Sequence, residues 1–219
     1  MDLNNILFHI KKPAVAPDAK LVAVSKLQSA ETVRELAVQG QKIFGENYVQ
    51  EALSKIEKLK DLDLEWHFVG RLQKNKVKQV VGVFGLIHSV DSLELAETIN
   101  RIAGEKGLTQ RVLFQLNLAS EESKGGFSRT EFSEKIEDLK NLQHLQIEGL
   151  MTMPPLFDDP ERSRPYFQEL RELQKKYSKD FPLLYELSMG TSADFEIALE
   201  EGATLVRLGT IVFGERPAK

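Results

Sequence analysis

Eight short apolar segments of β character alternate with segments of helical period along the chain, and this alternation restricts the fold more than any other feature. Strands separated by helices cannot join as tight hairpins. They pair in parallel, with each helix packed back across the sheet. Strands are expected at 21–25, 42–44, 65–69, 85–89, 111–117, 146–150, 184–188 and 204–208. Helices are expected at 29–39, 48–60, 74–81, 92–106, 129–140, 164–177 and 194–201, with a short closing helix after the last strand. Asp91-Ser92-Leu93-Glu94, Ser128-Arg129-Thr130-Glu131 and Thr191-Ser192-Ala193-Asp194 each set an oxygen acceptor three residues before an acid, as a capping box does. Pro165 would break a helix interior, so the helix through Tyr166 and Leu173 begins at or just before it. Within 92–106, Leu93, Ala96, Ile99, Ile102 and Ala103 form one apolar stripe opposite Glu94, Glu97 and Arg101. Eight alternations suit a closed (β/α)₈ barrel of the α/β class. A doubly wound open sheet is the alternative the pattern leaves open, and both place reactive groups at the C-terminal ends of their strands.

A chain of 219 residues, 42% of them hydrophobic, can bury one sizeable core, and one domain over 1–219 is the simplest reading. No stretch is long and apolar enough to span a bilayer, and Met1-Asp2-Leu3-Asn4-Asn5 lacks the basic-then-apolar pattern of a secretory signal, so a cytoplasmic protein is expected. The chain has no cysteine, which removes disulfides and thiolate chemistry, and its four histidines include no pair at helical ligand spacing, so no metal site is expected. The net charge of −4 comes from 29 basic and 33 acidic residues that are interleaved, which disfavours nucleic acid as the main partner.

Lys26 closes the apolar run Leu21-Val22-Ala23-Val24-Ser25. On its own it reads first as a solvated charge where a strand leaves the core, and only with support from its surroundings as a partly desolvated amine able to form a Schiff base with an aldehyde. The other strand ends collect polar and glycine residues: Gly45-Glu46-Asn47 after the second, and His67 with Gly70 around the third. The last two carry Ser188-Met189-Gly190-Thr191-Ser192 and Arg207-Leu208-Gly209-Thr210. Each of these segments can be a capped turn. It can also be a phosphate cradle, because glycine lets backbone N–H groups approach an anion and hydroxyls donate beside them. Their joint placement on strands seven and eight, with a lysine on strand one next to strand eight in a closed barrel, favours the phosphate site.

The segments Leu21 to Lys26, Phe44-Gly45-Glu46-Asn47-Tyr48-Val49-Gln50-Glu51, Trp66-His67-Phe68-Val69-Gly70 with Leu72-Gln73-Lys74-Asn75-Lys76, Gly149-Leu150-Met151-Thr152-Met153, Leu187 to Phe195, and Val206 to Thr210 with Phe213-Gly214 together resemble the pyridoxal phosphate homeostasis protein family. The resemblance implies a barrel like the N-terminal domain of alanine racemase, holding pyridoxal 5′-phosphate (PLP) as a Schiff base on a lysine, which Lys26 matches. By the same match Asn47 lies beside the cofactor, Ser188, Gly190, Gly209 and Thr210 hold its phosphate, and Arg207 faces the pyridine nitrogen. A guanidinium can only donate there, so the ring nitrogen stays unprotonated and the ring is a weak electron sink. The implied role is intracellular PLP and amino-acid homeostasis by a monomer whose partners are PLP and PLP-dependent apoenzymes, with no residue put forward as catalytic.

The chain departs from that pattern in a short N-terminal helix, expected at Leu3 to Lys11, and in Leu27 and Arg71 where smaller residues are frequent. Ser123-Lys124-Gly125-Gly126-Phe127 resembles the family's loop after the fifth strand and reads equally as a solvated loop and as a route for ligand traffic. Tyr48 is expected to pack and His67 to be a hydrogen-bonded core histidine. The rival function is a minor PLP-dependent racemase or lyase using Lys26 as Schiff-base former and base. A racemase needs an acid/base on each face of a planar carbanion, and no second candidate stands out, nor does the chain hold the β-rich second domain of alanine racemases. A phosphate-binding barrel enzyme without PLP would keep the Gly/Ser/Thr cradle but leaves the motif series unexplained.

Overall fold

The structure is a computed structural model that describes residues 3–11, 18–121 and 125–214. Its strands are β1 (Lys20–Val24), β2 (Ile43–Glu46), β3 (Glu65–Phe68), β4 (Leu86–Val90), β5 (Gln110–Leu116), β6 (Leu145–Thr152), β7 (Glu186–Ser188) and β8 (Leu205–Leu208). Each pairs in parallel with the next, and β8 pairs with β1 through Lys20↔Leu205 to Ala23↔Leu208, so the sheet closes on itself. The closed barrel settles the choice against the open sheet. Short strands suffice because closure leaves no edge to protect.

Strand parity sorts side chains into two cores. Leu21, Ala23, Phe44, Trp66, Phe68, Val112, Phe114, Leu187 and Val206 face outward into the layer under the helices. Val22, Leu86, Leu113, Met151 and Leu205, with Ile43 and Val69 against them, pack inside the barrel as a separate cluster. The outer layer is rich in aromatics: Phe114 meets Phe127, Phe132 and Phe181 edge-on at centroid distances of 5.6–6.0 Å.

The outer ring consists of α1 (Leu3–Lys11), α2 (Ala30–Val38), α3 (Val49–Lys58), α4 (Val77–Val80), α5 (Leu93–Glu105), α6 (Arg129–Glu134), α7 (Ile136–Lys140), α8 (Arg164–Tyr177), α9 (Phe195–Glu200) and α10 (Thr210–Phe213). The stripe in α5 buries Ala96, Ile99, Ile102 and Ala103 as its spacing predicts, with Leu95 added. Two expected helices are interrupted. The segment 74–81 begins as a 3₁₀ turn, Lys74–Lys76, and 129–140 divides at Lys135, whose φ of −97° and ψ of 2° end α6 and open α7. The caps also differ in detail. Ser128 accepts from the Glu131 amide as expected, but α5 is capped by Ser92, one residue after Asp91, and α9 starts after Asp194 instead of Thr191. Among the described residues no helix is long and apolar enough to cross a membrane.

Candidate functional site

The C-terminal ends of β1, β2, β6, β7 and β8 surround a cleft of about 370 Å³. Its lining brings together Lys26, Asn47, Arg207, Gly209 and Thr210, with Thr191, Ser192 and Met153 from the intervening loops. Gly190 lies in an adjoining recess of about 220 Å³ that shares Thr191 and Arg207 with the main cleft. Ser188 lines neither. Ser123 and Lys124 lie outside the described residues.

Arg207 enters from the third position of β8, inward by parity, and is only 6% exposed. Its Nη1 donates to Ser188 Oγ at 2.6 Å and its Nη2 to the Thr152 carbonyl at 3.1 Å, which commits two of its five donors. Burial lowers its pKa to about 10, so it remains a cation at neutral pH. Asn47 follows β2 at the mouth. Its Oδ1 is buried without a hydrogen-bond partner among the described residues, a rare condition in a folded chain and one that suits an acceptor facing a ligand. Gly70 must be glycine for this arrangement, because a Cβ there would stand 2.4 Å from the Asn47 carbonyl oxygen.

The β7 and β8 loops are partly tied to themselves. The Thr191 amide and hydroxyl both donate to Asp194 Oδ1, at 2.7 and 3.0 Å, and the Gly209 amide donates to Ser192 Oγ at 3.3 Å. Gly190 has φ +88°, and a Cβ on it would lie 2.6 Å from the Ala198 Cβ, so the β7 loop can pass over α9 only with glycine here. Gly209, at φ −113°, has no such conformational demand.

Beneath the cleft a row of polar groups runs down the barrel axis, buried from Ser188 to His67 and partly exposed at Glu65. Ser188 Oγ lies 2.8 Å from His88 Nδ1, His88 Nε2 lies 2.9 Å from His67 Nδ1, and His67 Nε2 lies 3.1 Å from Glu65 Oε1. Arg111 Nη1 donates to the same Glu65 oxygen at 2.7 Å. With both imidazoles neutral, the Glu65 carboxylate, which can only accept, fixes the order: His67 Nδ1 accepts from His88, and His88 Nδ1 accepts from Ser188, which itself accepts from Arg207. His88 is then protonated on Nε2, and His67 likewise donates from Nε2 to Glu65. Both rings are neutral in this scheme. Burial holds the His88 pKa well below the usual histidine value, with the charge of Arg207 adding to it. The bond from His67, helped by Arg111, brings the Glu65 pKa down to about 2.

Several of these groups escape a reading of the sequence. His67 is the hydrogen-bonded core histidine expected, but its partner His88 was not singled out, although both occupy inward positions of adjacent strands. The resemblance implies a phosphate contact for Ser188; its hydroxyl is engaged by Arg207 and His88, while Thr191 and Ser192 border the cleft. Tyr48 does not pack. It stands at the N-cap of α3, one residue before the buried face that starts at Val49, and is 54% exposed.

The model of the alanine racemase N-terminal domain matches residues 2–217. The pyridoxal phosphate homeostasis protein of Aquifex aeolicus is 49% identical over 199 residues, covering 90% of this chain and 87% of that protein. PipY of Synechococcus elongatus PCC7942, in its structure with PLP bound, superposes with a TM-score of 0.86 at 41% identity, covering 90% of this chain and 93% of that one. An alanine racemase of Clostridium difficile shares the fold at a TM-score of 0.72 and 19% identity, with this chain spanning 58% of its length. A closed parallel barrel with Lys26 at the end of β1, matched to these relatives over nine-tenths of its length, belongs to the alanine racemase N-terminal domain family and, within it, to the pyridoxal phosphate homeostasis proteins.

Proposed function

We propose that this chain holds PLP reversibly as a Schiff base on Lys26 and serves PLP and amino-acid homeostasis, without strong turnover. The observation that carries the reading is the cleft itself, which gathers a lysine, a buried cation and a buried amide oxygen lacking a partner among the described residues within about 370 Å³. Relatives named for PLP homeostasis, and a PLP-bound relative of the same fold, support it. When bound, PLP supplies an aldehyde that condenses reversibly with a primary amine.

Each residue then has a task of its own. Lys26 supplies the amine, and Asn47 satisfies its buried amide oxygen on the ligand. Gly190, Gly209 and Thr210, joined by Thr191 and Ser192, border the place for the phosphate. Arg207 meets the ring nitrogen with a donor only, which keeps that nitrogen unprotonated and restrains carbanion chemistry. Ser188 acts one step removed, by holding Arg207. We further infer one domain, acting as a monomer in the cytoplasm and exchanging PLP with apoenzymes.

The test is an absorbance spectrum of the protein with PLP, followed by borohydride reduction and peptide mapping, in parent and Lys26→Ala. A label fixed on Lys26 and lost in the variant supports the reading; label scattered over surface lysines overturns it. Incubation of the loaded protein with amino acids in D₂O then separates carrier from enzyme. Exchange of an α-proton at a catalytic rate would favour the racemase or lyase.

A further inference from the structure

Lys26 sits in a turn whose shape β1 alone does not dictate. The Gln28 amide donates to the Ser25 carbonyl at 3.0 Å, which closes a four-residue turn with Lys26 and Leu27 at its centre, and Leu27 has φ +64°. A positive φ at the second central position is the demand of a type II turn, which glycine meets freely and an L residue meets at a cost. Leucine occupies it here, so something outside the turn must hold it.

The hold comes from α3. The Leu27 amide donates to Glu51 Oε1 at 2.6 Å, and Lys55 Nζ donates to the same oxygen at 2.6 Å. The ammonium also donates to the Ser25 carbonyl at 2.6 Å and to Glu46 Oε1 at 2.7 Å, while Ser25 Oγ donates to that Glu46 oxygen at 2.6 Å. All three donors of Lys55 are thereby used. The Ser25 carbonyl belongs to the peptide unit before Lys26 and the Leu27 amide to the one after it, so both peptide units that flank Lys26 are gripped from one helix. Lys55 is 5% exposed and Glu46 fully buried, so water has little access to that side of the cluster, while the Glu51 side chain, 25% exposed, meets the Leu27 amide nearer the surface. Neither Glu51 nor Lys55 lines the cleft. Asn47, which does, lies two residues before Val49, where α3 begins, so one helix adjoins both sides of the mouth.

We propose that Glu51 and Lys55 are positioning residues for Lys26: they impose the left-handed conformation on Leu27 and thereby hold the Lys26 amine in the cleft, a role that rests on the PLP reading above. A buried charge cluster could equally serve stability alone, and the two roles predict different couplings. Glu51→Ala removes the acceptor that holds the Leu27 amide. It should weaken the borohydride-trappable binding of PLP to Lys26 about tenfold, equivalent to about 1.4 kcal/mol, and speed hydrogen exchange at the Leu27 amide in the PLP-free protein. In a Leu27→Gly background the same Glu51→Ala change should cost less than threefold, because glycine needs no outside hold. Glu51→Gln, which retains an oxygen for that amide, should bind PLP within threefold of the parent.

A parent chain that traps no PLP on Lys26 overturns the cofactor reading and this proposal with it. A parent chain that traps PLP while Glu51→Ala binds it as tightly, whatever happens to the urea midpoint, overturns this proposal alone. So does a tenfold loss that persists undiminished in the Leu27→Gly background.

Discussion

The barrel wall separates two cores built on opposite terms. Outside it, under the helices, Phe44, Phe68, Phe114, Phe127 and Phe132 are fully buried among aliphatic neighbours, and each gains from area and contact with whatever surrounds it. Inside it, a small apolar cluster around Val22, Leu86 and Leu113 shares the space with Glu65, His67, His88, Ser188 and Arg207, each satisfied by particular neighbours. The outer core tolerates exchange of one apolar side chain for another of similar volume. The inner one does not, because removing any member leaves a buried polar group unpaired. The outer core supplies stability and the inner one orients Arg207.

The contrast breaks most sharply at Phe114. Phe114→Ala should cost about 3–5 kcal/mol of stability in urea unfolding, while the folded fraction binds PLP as before; a loss of binding in protein shown to be folded would mean that the two cores are not separable. On the axis, His88→Leu should cost about 1–3 kcal/mol and, unlike Phe114→Ala, should change the spectrum of bound PLP by releasing Ser188 from its hold on Arg207. An unchanged spectrum would count against the axis as a positioning device.

The same variant carries a pH signature. Because the folded-state pKa of His88 is depressed, its contribution to stability is present above the unfolded value of about 6.5. It is lost as pH falls below that value, since the unfolded chain binds a proton that the buried ring refuses. The parent should lose up to about 1.4 kcal/mol per pH unit from this group below pH 6.5, and His88→Leu should lack that increment. Equal slopes between pH 5 and 7 would remove the assignment. Burial raises the Glu46 carboxyl and so acts in the opposite sense at lower pH, but it is common to both proteins and cancels in the comparison.

Gly190→Ala lies between the two regions, forcing a side chain onto φ +88° and against Ala198. About 1–3 kcal/mol of strain is expected, together with weaker PLP binding, and a variant as stable and as tightly bound as the parent would show that the β7 loop can move aside. The smallest effect belongs to neither core. Arg34, paired with Asp61 at 2.6 and 2.8 Å on the surface, should be replaceable by alanine without a measurable shift of the urea midpoint.

The outer core was legible in the sequence where its signal is periodic, as in the stripe of α5, whose apolar residues recur at spacings that backbone geometry imposes. The strand ends were legible for the same reason, and they placed Lys26, Asn47, Arg207, Gly209 and Thr210 around one cleft. The axis was not. Its members come from β3, β4, β7 and β8, and no spacing within one segment shows that His88 lies next to His67, 21 residues away, or to Ser188, 100 residues away. Strand parity could have put both histidines inside, but only barrel closure brings them into contact. The grip of α3 on the turn at Lys26 was hidden differently. Glu51 and Lys55, at i,i+4, look like an ordinary surface pair until the helix is seen to lie against the end of β1.

The row from Arg207 to Glu65 has one further property. Ser188, His88 and His67 each receive a hydrogen and give one, so none can turn round without its neighbours. The row therefore has two global polarities. The carboxylate at its foot can only receive, and with both rings neutral it selects the polarity in which every hydrogen points toward Glu65.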